Sequence, residues 1–137
     1  MQKIHAMIHR LHNPDAGILF LRIAIGLVFV HAGWLKLGNM DMIVAGFGAA
    51  GIPAGLAYLV AYSEFICGIA MLSGLFVRYA GIILSIIMIV AITKVHLPHG
   101  YGLQGGGYEY TLTLLLCSLA MVTFGAGAYS VARMLRK

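Results

Sequence analysis

The chain alternates between long apolar runs and short segments that carry most of its prolines and charges. Four runs approach the roughly 20 residues that a helix needs to cross a bilayer. They cover about residues 15–37, 53–76, 79–97 and 108–129. Asn13 and Pro14 suit a helix N-cap and first helical position before the first run, and Pro98 closes the third. The pattern predicts an all-α, polytopic membrane protein folded as a four-helix bundle.

The first thirteen residues follow a different pattern. Apolar residues recur at the spacing of one helix face, and basic or histidine residues lie between them. The two sets are Ile4, Met7, Ile8 and Leu11, and Lys3, His5, His9, Arg10 and His12. We therefore expect residues 1–13 to form an amphipathic, interfacial helix on the cytoplasmic leaflet, ahead of a single transmembrane domain over residues 14–137. The histidines share a flank that would suit a metal, but a basic, solvated face is the favoured interpretation.

The segment of residues 40–52 fits neither pattern. It is too apolar for open water and has too many glycines for a firm membrane span. We expect a short interfacial or re-entrant piece, whose backbone must be buried against protein to satisfy its hydrogen bonds.

Composition narrows the class of protein further. Of 137 residues, 61% are hydrophobic and only 9% are charged, whereas soluble domains average about 25% charged residues. This composition indicates an integral membrane protein with no separate soluble domain, so any chemistry takes place at membrane depth or at its edges. The two cysteines, Cys67 and Cys117, form no CxxC motif and are interpreted as packing residues.

The positive charge, +5 in total, is confined to segment ends. This placement argues against nucleic-acid binding and instead follows the positive-inside rule. With both termini in the cytoplasm, only Lys36 and Lys94 fall on the outer side. The basic residues then on the inner side are Lys3, Arg10, Arg78, Arg133, Arg136 and Lys137.

Titratable residues gather in the predicted outer half of the membrane, while the inner half has only Arg22. A charge at bilayer depth costs at least about 2.5–3.5 kcal/mol, so such groups usually pair, face the bundle interior or mark a site. Glu64 follows Pro53 by about 11 residues and so lies near the midplane, where we expect it to be neutral or paired with lysine or arginine. The outer set is His31, Lys36, Glu64, Lys94, His96, His99 and Glu109.

Simpler structural roles compete for several of these residues. Lys36 and Lys94 can snorkel to the interface, and a histidine can bond to a carbonyl oxygen. Glu109 can accept backbone N–H groups at a helix N-terminus, or it can close the mouth of an outer cavity opposite either lysine. The sequence also predicts structural roles for two other sets of residues. Gly26, Gly33 and Gly68 would let helices pack closely, and Trp34, Tyr108 and Tyr110 would form an aromatic belt at the membrane interface.

Three parts of the chain resemble the DoxX family of small four-helix membrane proteins. They are "RIAIGLVFVHAGWLKL" from Arg22, the predicted helix that carries Glu64 and, above all, "GGGYEYTLTLLLCSLAMVTFGAGAYSV" from Gly105. The resemblance extends over residues 17–131, although Ala126 stands where the family commonly has proline. It implies a bacterial inner-membrane protein linked to quinone-coupled oxidation of sulfur compounds. The residues that match the family's recurrent polar positions are Arg22, Lys36, Glu64, His96 and Glu109.

The leading hypothesis is a quinone-interacting component of a redox system for sulfur or thiol oxidation or oxidative stress, possessing or assisting an oxidoreductase activity. Glu64 and His96 are the expected catalytic residues. Glu64 would exchange the proton that accompanies each electron, and His96 or His31 would hydrogen-bond a quinone carbonyl. The residues expected to bind the quinone are His31, Trp34, Lys36, Lys94, Glu109 and Arg22. The chain has no haem, flavin or iron–sulfur motif, so electrons would come from another protein or a small reductant.

Two alternatives stay open at this point. The chain could be a non-catalytic membrane anchor for a soluble enzyme, docking through residues 1–12 and the "ARMLRK" tail. It could also handle a metal, zinc or copper(II), at an N/O site. That site would consist of His31, His96, Glu64 and Glu109. Glycine-rich helix faces would in addition allow a homodimer.

Overall fold

A computed structural model describes residues 1–136. The described part does not include Lys137 or the side chains of Gln2, His9 and Arg10. The predictions that use these side chains therefore lie outside it: the inner-side positive charges of Arg10 and Lys137, and the place of His9 on the histidine flank of the first helix. The α-helices are α1 Gln2–Arg10, α2 Pro14–Gly38, α3 Met40–Ala49, α4 Ala54–Ser73, α5 Val77–Ala91, α6 Glu109–Phe124 and α7 Val131–Met134. A π-helical segment, Ile92–His96, extends α5. The described residues contain no strand, which confirms the all-α class.

Three helical stretches are long and apolar enough to cross a membrane: Pro14–Gly38, Ala54–Ser73 and Val77–His99. The fourth predicted span is shorter, because α6 has 16 residues and ends at Phe124 instead of near residue 129. The next residue, Gly125, has a positive φ of 78° with an extended ψ of −154°, which breaks the helical path. Gly74 ends α4 differently, in the left-handed α conformation with φ of 77° and ψ of 23°. The conformation of Gly74 is the common glycine C-cap of an α-helix.

The N-terminus of α2 is formed as the sequence predicts. The Asn13 side chain accepts a hydrogen bond from the backbone N–H of Ala16 at 3.1 Å, and Pro14 occupies the first helical position. Asp15 lies in the first turn, where the helix dipole favours a negative charge.

Glycines bring α2 and α4 into backbone contact. A Cβ atom built on Gly33 would lie 2.5 Å from the backbone nitrogen of Phe65, and one on Gly68 would lie 2.6 Å from that of Val30. Gly26 faces Leu72 in the same interface. The close packing predicted from these small residues is therefore confirmed, and it sets which residues of the two helices meet.

We expect Gly33→Ala to lower the free energy of unfolding by about 1–3 kcal/mol, because the added methyl group meets backbone that cannot rotate away. Reversible unfolding in mixed detergent micelles would measure the change. Gly17→Ala is the matched control, since it makes the same substitution in the same helix with nothing within 4 Å of the new Cβ. Equal unfolding curves for the two variants would contradict the proposed role of the interface.

The hydrophobic core lies among α2, α4, α5 and α6. Phe29, Met71, Leu84 and Met121, one from each helix, are almost fully buried. On the other side of the core, α5 and α6 run together with Gly81 against Ser118 and Val122.

The remaining helices are peripheral. Helix α3, within the segment expected to be interfacial or re-entrant, packs against α4 and has no buried residue. The apolar residues Ile4, Met7 and Ile8 of α1 are all exposed, meaning that no other part of the described chain covers them.

The bundle has two distinct ends. The glycine-loop end contains the last turn of α2, α3, the π-helical segment and the loop of residues 100–108. The arginine end contains the start of α2, the turn between α4 and α5, and residues 125–130, joined to Arg22 by hydrogen bonds.

Candidate functional site

A cavity of about 890 Å³ lies among α2, α4, α5 and α6, towards the glycine-loop end. Its walls are mostly aliphatic and include Val28, Leu59, Ile86 and Leu114. A small set of polar side chains converges on it: His31, Lys36, Ser63, Glu64, His96, Tyr110 and Thr111. An apolar pocket of this size with a few polar groups is typical of a small-molecule site.

An ion pair between Lys36 and Glu64 forms the charged part of the cavity wall. Glu64 is only 2% exposed, and the Lys36 side chain is 25% exposed. The contact of Gly33 with Phe65 sets the register that brings the last turn of α2 to the middle of α4. Of the two states expected for Glu64, the structure thus supports the paired one, and this is the only salt bridge among the described residues.

His96 lies at the end of the π-helical segment and lines the cavity. Its Nδ1 atom is 2.8 Å from the carbonyl oxygen of Gly106. A carbonyl oxygen only accepts hydrogen bonds, so Nδ1 carries the proton and donates it. In the neutral ring, Nε2 therefore keeps a lone pair that can accept a hydrogen bond from a ligand. His31 also lines the cavity, and its side chain is exposed.

The glycine loop is held by its own backbone. Tyr108 and Glu109 donate their N–H groups to the carbonyl oxygens of Gly100 and Tyr101 at 3.0 and 2.9 Å. A Cβ atom on Gly107 would overlap the Gly100 carbonyl oxygen, so this position requires glycine. The tight loop positions Gly106 to receive the His96 hydrogen bond.

Glu109 belongs to this loop instead of the cavity. Its Oε2 atom accepts a hydrogen bond from the backbone N–H of Leu103 at 3.1 Å. Of the two alternatives for Glu109, the structure shows a carboxylate bonded to backbone N–H, and among the described residues Glu109 forms no salt bridge with Lys36 or Lys94. Glu109 does not line the cavity.

Two other expected ligand-binding residues also lie outside the cavity lining. Trp34 is 66% exposed and packs against Phe65 in a tilted arrangement, with ring centroids 6.0 Å apart. Lys94 is exposed on the π-helical segment. Both positions suit side chains that reach the membrane interface.

Arg22 lies at the opposite end, about 21 Å from Lys36 along the axis of α2. Its guanidinium donates hydrogen bonds to the carbonyl oxygens of Ala126 and Tyr129, the latter at 2.8 Å. Asp15 accepts a hydrogen bond from the N–H of Ala128 at 2.7 Å. Arg22 is thus bonded to the segment after α6, and the structure does not bring it to the cavity.

The four residues of the metal alternative are only partly brought together. His31, Glu64 and His96 line the cavity, but Glu109 does not. Among the described residues, no three His, Cys, Asp or Glu side chains lie close enough to hold a metal ion.

Three polar lining residues were missed from the sequence: Ser63, Tyr110 and Thr111. Thr111 shares one face of α6 with Leu114, Ser118 and Met121, all buried. Their spacing of three or four residues is that of a helix face and can be read from the sequence. For Tyr110 the sequence instead predicts a position in the aromatic belt, because aromatic side chains near a helix end are typical of the membrane interface.

The DoxX family model matches residues 17–97, which is more than half of the chain. The chain belongs to the DoxX family. The match begins in the first turn of α2, includes α3 to α5 and the whole π-helical segment, and ends before the glycine loop and α6. The stretch from Gly105 that also carries the resemblance therefore lies beyond the matched residues.

Three curated bacterial relatives resemble this DoxX chain over most of its length. "Putative oxidoreductase CatD" of Bacillus subtilis is 31% identical over 82% of this chain and 81% of its own. "Inner membrane protein YqjF" of Escherichia coli is 28% identical over 90% of this chain and 95% of its own. An uncharacterized membrane protein of Mycobacterium tuberculosis is 33% identical over 88% and 82%. No solved structure matches the chain.

Proposed function

We propose that this DoxX protein binds a quinone in the cavity and couples its reduction to the oxidation of a thiol or another sulfur compound. The observation that carries this proposal is an ion pair and a histidine placed together in a mostly aliphatic cavity between apolar helices long enough to cross a membrane. The name of the relative CatD, a putative oxidoreductase, is in keeping with redox chemistry.

Access from the bilayer supports a lipid-soluble ligand. Leu59, Ile83 and Ile86 line the cavity and are 60%, 41% and 57% exposed, so they also belong to the outer surface of α4 and α5. An apolar ligand can therefore enter sideways from the hydrocarbon region without crossing water.

The polar groups match the two states of the ligand. A quinone carbonyl oxygen accepts hydrogen bonds, and the Lys36 ammonium is a donor at the cavity wall. A quinol hydroxyl donates, and the free Nε2 of His96 can accept. Oxidation of two thiols to a disulfide releases two electrons and two protons, and a quinone takes up both to form the quinol. Glu64, His96 and Lys36 are the groups in the cavity through which those protons can pass.

The test is direct binding of a short-chain quinone to the purified protein in detergent. We expect Val60→Trp to weaken binding by about tenfold or more, because Val60 lines the cavity and the indole would fill it. Ile69→Trp is the matched control, since Ile69 lies on the same helix, is 47% exposed and lines no part of the cavity. Tryptophan fluorescence quenching or calorimetry would give the dissociation constants.

Two results would contradict the proposal. One is equal quinone affinity for the two tryptophan variants, and the other is no measurable binding to the unaltered protein. Mass spectrometry of the gently purified protein provides a second readout, because a quinone that co-purifies should be lost from Val60→Trp and retained by Ile69→Trp.

We also propose a membrane arrangement for this single domain in the bacterial inner membrane. Helix α6 lies side by side with α5 at Gly81, which supports its assignment as a fourth span despite its length. Both termini would then lie on one side, and the positive-inside rule assigns that side to the cytoplasm. Helix α1, with Ile4, Met7 and Ile8 uncovered, would lie on the cytoplasmic surface.

A further inference from the structure

A second cavity, of about 950 Å³, lies at the arginine end. The turn between α4 and α5, the segment after α6 and helix α7 form its walls, and it shares no lining residue with the first cavity. Three of its lining residues are arginines: Arg78, Arg133 and Arg136. We call it the arginine cleft.

The arginine cleft has no acidic residue in its lining. None of its three arginines forms a salt bridge with a described residue, because the one described salt bridge joins Lys36 and Glu64. Arg78 has one long hydrogen bond, 3.4 Å to the carbonyl oxygen of Thr123. The three guanidinium groups therefore keep most of their donors available.

Arg22 adds a fourth positive charge behind the wall of the cleft. A Cβ atom built on Gly74, a lining residue, would lie 2.9 Å from the Cζ atom of Arg22. Asp15 is a carboxylate near this region: its Oδ1 atom accepts a hydrogen bond from the N–H of Ala128 and would lie 3.4 Å from a Cβ atom built on Gly127. Four cations with one engaged carboxylate create a positive potential that favours an anion.

We propose that the arginine cleft binds the phosphate-bearing headgroup of an anionic phospholipid. A guanidinium group can donate two parallel hydrogen bonds to the oxygens of one phosphate. A phosphate therefore matches both the positive charge of the cleft and the available N–H donors of its arginines. Phe76, Tyr79 and Phe124 also line the cleft and are 73%, 69% and 62% exposed, so acyl chains have apolar surface to follow. A free phosphate ion shares the headgroup chemistry but would leave this aromatic surface unused.

Native mass spectrometry of the full chain, released from neutral detergent micelles, tests the assignment. The probes are phosphatidylglycerol, phosphatidylcholine and inorganic phosphate. We expect one phosphatidylglycerol to bind at least about tenfold more tightly than phosphatidylcholine, and inorganic phosphate to compete only weakly. The double variant Arg133→Gln/Arg136→Gln should lose most of this preference. Both side chains are exposed, so the fold should be retained.

The matched control is Lys3→Gln/Lys94→Gln, which removes the same charge from exposed positions outside the cleft. It should keep the preference for phosphatidylglycerol. Equal affinity for the two lipids, or an unchanged preference in the double arginine variant, would overturn the proposal. Binding of inorganic phosphate as tight as that of phosphatidylglycerol would overturn the assignment to a lipid.

Discussion

Replacement of Lys36 by methionine is expected to lower the free energy of unfolding by about 3–5 kcal/mol, because it leaves the Glu64 carboxylate buried without its partner. The carboxylate is 2% exposed and accepts its one described hydrogen bond from Lys36. Glu64→Leu should be similarly destabilising, since the Lys36 ammonium would remain inside the cavity wall. Reversible unfolding in mixed detergent micelles would measure both changes.

The double variant Lys36→Met/Glu64→Leu separates the effect of the ion pair on stability from its proposed role in quinone binding. With both charges removed, we expect most of the stability to return, because a buried ion pair can often be replaced by apolar residues without loss. Lys94→Met is the control, as it removes an exposed lysine from the same end of the bundle and should change stability by less than about 0.5 kcal/mol. A double variant as unstable as either single variant would show that the pair is not the cause. If the proposed function is correct, the stable double variant will still fail to bind quinone.

The second large effect is expected at Arg22. Arg22→Met should lower the free energy of unfolding by about 3 kcal/mol, because it removes two charge-assisted hydrogen bonds from carbonyl groups packed at the arginine end. Arg22→Lys should recover only part of this loss, since an ammonium group cannot reproduce the fork that reaches both oxygens.

Hydrogen exchange gives this prediction a local readout. In Arg22→Met, the amides of residues 125–130 should exchange faster, while those in the core of α4 and α5 keep their order of protection. Arg78→Met serves as the control, because Arg78 is exposed and its one described hydrogen bond is long. Unchanged exchange of residues 125–130 in Arg22→Met would contradict the role assigned to the arginine.

The sequence predicts the helices well because hydrophobic length and glycine or proline breaks act locally. It also identifies Glu64 as exceptional, since a carboxylate about 11 residues into an apolar helix has no local means of compensation. The identity of its partner is a different problem. It depends on the register of α2 against α4, which Gly33 and Gly68 set by contacts across the interface.

Glu109 and Arg22 show that the predicted depth of a charged residue in the membrane is not enough to assign it to the ligand site. Both were placed at the ligand site because they are charged residues in or near apolar segments. Glu109 is bonded to a loop N–H six residues earlier, and Arg22 is bonded to carbonyl groups more than 100 residues later. The first contact depends on the path of a glycine-rich loop. The second depends on an irregular segment that contains Gly125 and Gly127, two glycines with positive φ. Such a segment has no hydrophobic periodicity from which its path could be predicted.

The long sequence separation of the Arg22 contacts has a consequence for biogenesis. The two carbonyl partners are synthesised 104 and 107 residues after the arginine. At translation rates of about 5–20 residues per second, roughly 5–20 s pass before they exist. Throughout that interval the guanidinium must be solvated by lipid headgroups or by the insertion machinery. A nascent chain that stops before Gly125 can never complete this contact, and we expect membrane quality-control proteases to recognise it.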